Sequence, residues 1–254
     1  MSTAHDDAMQ AIHSSADVGR AEDAVNKARE DDDPQTVFYL NPEPKFDGLN
    51  DLETTKYSWA TKIEQTVQLQ FGKKFPDKRH SIQMSWDRAS YRAKLVDYLL
   101  RTTPWFILVK DEVEDPDNQP ITGNYYTDKE TYKRIALDYL QLNLPEVPNT
   151  RLELVAKYIA ETLALGQDKL TGVQRFAVAF AFQSKDHPLV PPALRVVILG
   201  FERKEEGGKN VVEPSRTTYE AVMNSNLFHD QKFDEEMLNI GKPLVQEWTL
   251  PVTQ

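Results

Sequence analysis

Large and small apolar residues alternate along residues 175–183. Phenylalanine and valine occupy one parity of this stretch, and alanine occupies the other. Because the side chains of a strand point alternately to its two faces, the pattern predicts a strand with one bulky and one shallow face. We expect the bulky face to pack on a helical hairpin, and the alanines to let another layer approach closely. A membrane-inserted strand is the weaker interpretation, because it would alternate apolar with polar residues.

Residues 193–203 form a second predicted strand. They are rich in β-branched side chains and end in charged residues, which is typical of a strand. The link 184–192 contains Pro188, Pro191 and Pro192, which favours a loop over regular structure. We therefore predict a β-hairpin in the core of the protein.

Apolar residues spaced three and four positions apart predict four helices in two pairs. The first pair covers about 50–71 and 86–101, and the second pair covers 127–143 and 150–166. Both helices of the second pair begin with a capping-box pattern, at Thr127–Glu130 and Thr150–Glu153. The remaining expected elements are strands at 36–40, 104–109 and 244–252, a pairing segment at 121–126, and weak helices at about 219–227 and 233–240.

Helical pairs therefore alternate with strand pairs along the chain. Neighbouring strands joined by short loops favour an antiparallel or mixed sheet with helices packed on it. We predict an α+β fold in which residues 36–254 form a single domain, with the sheet flanked by helical hairpins. Residues 1–35 are polar and contain few large apolar groups, so we interpret them as an acidic arm that is flexible or ordered by a partner.

The composition narrows the possible functions. The 254 residues carry a formal net charge of −10, and residues 1–36 contain nine acidic against three basic side chains. General nucleic-acid binding is not expected, because phosphate contacts need clustered lysine and arginine. The chain has no cysteine, which excludes disulfides, thiolate metal sites and a cysteine nucleophile. The sequence shows no signal-peptide pattern, and it has no apolar run of the roughly 20 residues that a membrane span needs. We therefore expect a cytoplasmic protein that binds membranes, if at all, at their surface.

Short motifs of catalytic and cofactor sites are missing from the sequence. There is no Gly-x-Gly-x-x-Gly, Walker loop, Gly-x-Ser-x-Gly or His-Glu-x-x-His. The five histidines are scattered without metal-ligand spacing. Asp115–Asn118 begins like a calcium loop, but Gln119 and Pro120 stand where a further acid and a glycine belong. We therefore expect no catalytic residue, no metal and no cofactor.

A short connector between the first two predicted helices, residues 72–80, is basic in an otherwise acidic chain. Lysine and arginine lie there beside Phe71 and Phe75, and the next predicted helix adds two arginines. Cations beside aromatic residues suit an anionic lipid head group, a phosphate or an acidic partner. The predicted membrane- or anion-binding residues are Lys73, Lys74, Lys78, Arg79, Arg88 and Arg92. The pattern by itself favours the simpler interpretation, a solvated loop between two helices whose charges aid solubility.

Three classes of function fit this sequence. We favour a non-enzymatic membrane-active protein, such as a pore-forming cytolysin or a cell-death effector, that forms a homo-oligomer on anionic membranes. In general plan, a cysteine-free acidic α+β domain with helical pairs beside a sheet is similar to cytolytic toxins and other pore formers. The second class is a self-assembling, coat-like protein that uses its N-terminal arm. The third is an enzyme whose pocket site carries no short motif.

Overall fold

Six helical segments and six strands make up the described structure. The structure is a computed structural model, and it describes residues 18–30, 33–40, 49–74, 81–103, 106–114, 121–122, 129–165, 172–182, 193–206, 209–224 and 239–245. The five α-helices are α1 (Val18–Glu30), α2 (Leu49–Lys74), α3 (Ile82–Thr102), α4 (Lys129–Asn143) and α5 (Asn149–Leu165). The strands are β1 (Val37–Leu40), β2 (Phe106–Glu114), β3 (Ile121–Thr122), β4 (Gly172–Phe182), β5 (Ala193–Glu206) and β6 (Lys209–Met223). A 3-10 helix covers Lys242–Leu244.

The strands form one mixed sheet in the order β1-β4-β5-β6-β2, and β3 pairs with β6 outside this path. β1 is parallel to β4, and the other pairs are antiparallel. In the predicted hairpin, Phe176 lies opposite Leu199 and Ala179 lies opposite Val196. The α+β fold, the mixed sheet and the flanking helical hairpins are therefore confirmed.

The alternation along β4 sets which helices lie on each face of the sheet. Phe176, Val178 and Phe180 pack with the buried side chains of α4 and α5. Ala177 and Ala179 belong to the second core cluster, together with the buried side chains of α2 and α3. Both expectations for the two faces of this strand are confirmed, and the sheet lies between two helical layers.

The strand β6 corrects the expectation of a helix at 219–227, because Tyr219–Met223 is the end of this strand. Its odd-numbered residues Tyr219, Ala221 and Met223 face the α2–α3 layer. On the other face, Thr218 donates a hydrogen bond to Asn143 Oδ1 at 2.8 Å, and Arg216 lies over the Tyr139 ring. Because the buried side chains at positions 216 and 218 are polar, the sequence there lacks the alternation of apolar and polar residues that indicates a strand.

Several element boundaries also differ from the expected ones. The helix α3 begins at Ile82, and the Ser81 hydroxyl caps it by accepting a hydrogen bond from the Met84 amide at 3.1 Å. The helix α5 begins at Asn149, so Thr150 lies inside it, and the Pro148 carbonyl accepts the first helical bonds. β3 pairs with β6 rather than folding back on β2. The proposed cap at Thr127, most of 233–240 and all but the first two residues of 244–252 lie outside the described residues.

The N-terminal part of the described chain packs on α2. Ala24 and Val25 of α1 are buried, and Asp33 lies in the core beside α3. Residues 1–17 lie outside the described residues, so the flexible or partner-ordered arm and its boundary stay predictions.

Candidate functional site

The helix α3 contacts the sheet through small and polar residues. Ser90 of α3 donates a hydrogen bond to Gln174 Oε1 and accepts one from the Arg175 amide, each at 3.2 Å. The Thr36 hydroxyl, just before β1, donates to the Ala89 carbonyl at 2.5 Å. With alanines on this face of β4, the helix backbone approaches the strand through polar contacts as well as through apolar packing.

Four charged side chains form a buried ion-pair cluster at the same interface, consisting of Asp33, Glu64, Arg88 and Arg92. Asp33 Oδ1 lies 2.5 Å from Arg88 Nη2, and its Oδ2 lies 2.6 Å from Arg92 Nη1. Arg92 also binds Glu64 of α2 through two bonds of 2.5 and 3.0 Å. The exposed fractions of these side chains are only 4–10%, so the cluster joins three segments of chain inside the core.

The electrostatics of the ion-pair cluster favour its charged form. Burial opposes ionisation of Asp33, but hydrogen bonds and charge attraction from Arg88 and Arg92 outweigh burial and lower the pKa of this carboxyl group. Burial likewise opposes the charge on Arg92, and the two carboxylates raise its pKa. Buried charges regain hydration when they separate, so such a cluster holds a layer less firmly than apolar packing does.

The helix α2 buries an unusual share of polar side chains. Its buried polar residues are Thr55, Lys56, Ser58, Thr61, Glu64 and Thr66, against the apolar Trp59, Ala60, Ile63 and Val67. In the described part of the chain, Ser58 Oγ, Trp59 Nε1 and Gln68 Nε2 find no hydrogen-bond partner. Each buried polar group left unsatisfied costs about 1–3 kcal/mol. By contrast, the buried residues of α5 are apolar apart from Thr162.

The structure buries two of the six residues of the predicted cationic site. Lys73 is exposed near the end of α2 and Lys74 is its last residue, whereas Lys78 and Arg79 lie outside the described residues. Arg88 and Arg92 are 5% and 9% exposed and bind Asp33 and Glu64. These two arginines therefore belong to the ion-pair cluster and not to an exposed surface. Membrane or anion binding by the other four stays a prediction.

Sequence reasoning missed the acidic half of the ion-pair cluster. Asp33 lies 55 positions from Arg88 and 59 from Arg92, and Glu64 lies 28 positions from Arg92. No spacing rule connects residues so far apart, and Asp33 follows directly on two other aspartates. Only the packing of α1, β1, α2 and α3 brings these charges together.

Among the residues that the structure describes, no group of three His, Asp or Glu side chains could hold a metal ion. No helix in the described ranges is both long and apolar enough to cross a bilayer. Comparison of the chain with protein-family models, curated proteins and solved structures finds no match.

Proposed function

We propose that this protein is a non-enzymatic membrane-active protein, a pore-forming cytolysin or cell-death effector that oligomerises on anionic membranes. The observation that supports the proposal is the contrast between the two helical layers. The α4–α5 layer packs mainly through apolar side chains, beside a few polar contacts such as that between Thr218 and Asn143. The α2–α3 layer is joined through a buried ion-pair cluster, and α2 carries buried polar groups that lack partners among the described residues. Such a layer separates from the sheet at a lower free-energy cost.

Attraction to the membrane is the first step of the proposed mechanism. The connector, residues 72–80, includes the end of α2 and carries Lys73, Lys74, Lys78 and Arg79 in its sequence. Lys73 is exposed, and Ile82, just after the connector, is half exposed. Each basic residue near an anionic leaflet contributes about 1 kcal/mol, and an exposed isoleucine adds apolar contact with the lipid.

Release of the α2–α3 layer is the second step. The layer exposes an amphipathic surface when it leaves the alanine face of β4, with Trp59, Ile63 and Val67 on α2 and Leu95 and Leu99 on α3. These side chains enter the boundary between head groups and acyl chains. The polar groups of α2 that are unsatisfied in the described fold then gain partners in water and head groups.

Oligomerisation is the third step, and it follows from the surface that release uncovers. Leu194, Val196 and Ile198 of β5 lie on the face of the sheet that α2 and α3 cover, together with the alanines of β4. An uncovered apolar face of this kind is buried again when protein chains associate. The expected product is a membrane-bound homo-oligomer.

The test is dye release from vesicles that contain phosphatidylserine, compared with vesicles of phosphatidylcholine alone. We expect faster release from the anionic vesicles and a particle larger than the monomer by light scattering. The variant Lys73→Glu with Lys74→Glu should lower the release rate by at least about tenfold, because two reversed charges oppose binding to the anionic leaflet. The matched control is Lys129→Glu with Lys157→Glu, which reverses two exposed lysines on the α4–α5 layer.

A second pair of variants tests the release step separately. Ser58→Ala with Gln68→Leu removes buried polar groups that have no partner in the described structure, so the closed fold becomes more stable and release becomes slower. Equal effects of the connector and control variants would remove the connector from the mechanism. No dye release from either kind of vesicle would overturn the proposed function.

A further inference from the structure

Residues 239–245 pack on the helix α2, and we call this segment the strap. The closest contact is at Gly241, which is buried. A Cβ atom at this position would lie 2.6 Å from the Thr61 hydroxyl oxygen and would also contact the Tyr57 carbonyl. Because no side chain stands between the two segments here, the backbone of the strap lies directly against the backbone of α2.

The strap has a second contact, at Val245. This side chain is partly buried and packs on the core that α2 and α3 share with the sheet. The same end of the strap lines a cleft of about 480 Å³, whose other walls include Ile63 of α2 and Val37 of β1. The strap therefore extends from α2 toward β1, the edge strand of the sheet.

The strap is held on α2 without hydrogen bonds to it in the part of the chain that the structure describes. Its own bonds are internal, from the Val245 amide to the Lys242 carbonyl at 3.3 Å and from Lys242 Nζ to Asn239 Oδ1 at 3.1 Å. Leu244 and Val245 are only partly buried. Segments with few buried contacts open at a lower free energy than the core does, so we expect the strap to detach first.

We propose that the strap is an autoinhibitory contact, which holds α2 in the closed fold and detaches before the α2–α3 layer leaves the sheet. Gly241 meets α2 at the turn 57–61. This turn also carries Ser58, whose buried hydroxyl has no partner among the described residues, so the strap covers a part of α2 that packs poorly by itself. The hold on α2 needs no membrane, whereas the inhibitory role rests on the proposed function.

The first test measures amide hydrogen exchange of the full chain in solution, without vesicles. The double variant Leu244→Ser with Val245→Ser removes the partly buried apolar groups of the strap. We expect the amides of α2 to exchange at least about tenfold faster in this variant, because less apolar contact then opposes local opening of the helix. Gly241→Ala acts at the other contact and should also accelerate exchange in α2.

Two controls separate the strap from general effects of substitution. Lys242→Ser changes an exposed residue of the strap and should leave exchange in α2 unchanged. Ile159→Val lowers global stability by about 0.5–1.5 kcal/mol, because Ile159 is fully buried in the α4–α5 layer. That layer stays packed when α2 opens locally, so Ile159→Val should not accelerate exchange in α2.

Two outcomes of the exchange experiment would overturn the strap. The first is unchanged exchange of α2 in both the double variant and Gly241→Ala, which would show that the strap does not hold this helix. The second is equal acceleration of α2 by Ile159→Val, which would show that α2 opens only when the whole fold unfolds.

The second test is dye release from vesicles that contain phosphatidylserine. Both strap variants should release dye faster than the wild type, and the two controls should release it at the wild-type rate. Faster exchange of α2 with unchanged dye release would overturn the inhibitory role. Faster exchange of α2 with no dye release by any of the proteins would instead overturn the proposed function, and the hold of the strap on α2 would stand.

Discussion

Arg92 of α3 binds Glu64 of α2 through two parallel hydrogen bonds, with Nε at 2.5 Å from Oε1 and Nη2 at 3.0 Å from Oε2. This two-point geometry fixes the orientation of one helix relative to the other, because a planar guanidinium matches a carboxylate in only one plane. The remaining terminal nitrogen of Arg92 binds Asp33. One side chain thus joins α2, α3 and the segment before β1.

Replacing Arg92 with methionine should destabilise the fold by about 3–5 kcal/mol, because Glu64 is left as a buried charge without its partner. The double variant Arg92→Met with Glu64→Met should be less destabilised than the sum of the two single variants, since it removes both charges together. Urea unfolding of the four proteins measures the coupling.

Lys157→Met provides the control, because Lys157 and Glu161 form an exposed pair at 4.0 Å that is worth less than about 1 kcal/mol. A similar small change at Arg92 would show that the ion-pair cluster does not hold the helical layer.

Acid should weaken the same cluster through Asp33. Arg88 and Arg92 lower the pKa of Asp33 against the effect of burial, so the unfolded state binds a proton more readily than the folded state does. The resulting stability is present above the ordinary aspartate pKa of about 3.9, and it is lost as pH falls through the lowered pKa of the folded protein. Below about pH 4, we therefore expect the melting temperature of the wild type to fall.

The variant Asp33→Asn isolates this contribution to the acid response. Asparagine keeps the size of the side chain but cannot ionise, so the variant should be less stable at pH 7 and should show a shallower loss between pH 4 and pH 2. Calorimetry across this range makes the comparison. Parallel curves for wild type and variant would mean that Asp33 does not carry the acid response.

Elements that depend on nearby residues could be predicted from the sequence, whereas elements that depend on contacts between distant residues could not. The alternation of phenylalanine and alanine along β4 is local, so the strand, its two faces and the helical layers followed from the sequence. The strand β6 was missed because Arg216 and Thr218 are buried by contacts with Tyr139 and Asn143 of α4. Those contacts exist only once the sheet and the helix are assembled.

The candidate site was predicted less well than the fold, for the same reason. Arg88 and Arg92 were grouped with Lys73 because all three are basic and close in sequence. Their partners Asp33 and Glu64 come from other segments, so their burial depends on long-range packing. A basic residue on an amphipathic helix has the same sequence signature whether it faces lipid or a buried carboxylate.

Gly241 is required for close packing of segment 239–245 against α2. A Cβ atom at this position would lie 2.6 Å from the Thr61 hydroxyl oxygen and would also contact the backbone carbonyl of Tyr57. Because the helix backbone cannot move aside cheaply, Gly241→Ala should destabilise the fold by about 1–3 kcal/mol. Urea unfolding measures this change.

The matched control for Gly241 is Gly200, a second buried glycine. There the nearest atom to an added Cβ is the Ser215 hydroxyl, which can rotate away, and the next is Val173 Cγ1 at 3.3 Å. Gly200→Ala should therefore cost clearly less than Gly241→Ala. An equal loss in both variants would mean that close approach to the α2 backbone is not the cause.

Lys62 of α2 should destabilise the fold while it is charged. Burial lowers the pKa of Lys62 to about 8, so the folded protein holds this proton less tightly than the unfolded chain, whose lysine pKa is about 10.4. Stability should therefore rise with pH between about 8 and 10.4, and below this window the full cost of charging this partly buried lysine is present. Lys62→Met removes the charge and should stabilise the protein at pH 7 by on the order of 2 kcal/mol.

The pH dependence of this gain distinguishes lost charge from better packing. Methionine also adds apolar contacts, and that contribution does not change with pH, whereas the gain from removing the charge should shrink between pH 8 and pH 10.4. Urea unfolding of wild type and Lys62→Met at pH 7 and pH 10 measures the contributions of lost charge and of better packing. The control is Lys73→Met, at an exposed position of the same helix, which shows the change in stability expected without burial. A gain that is equal at both pH values would mean that Lys62 is not strained in the folded protein. In the proposed mechanism, relief of this charge adds to the release of α2, so Lys62→Met should also slow dye release.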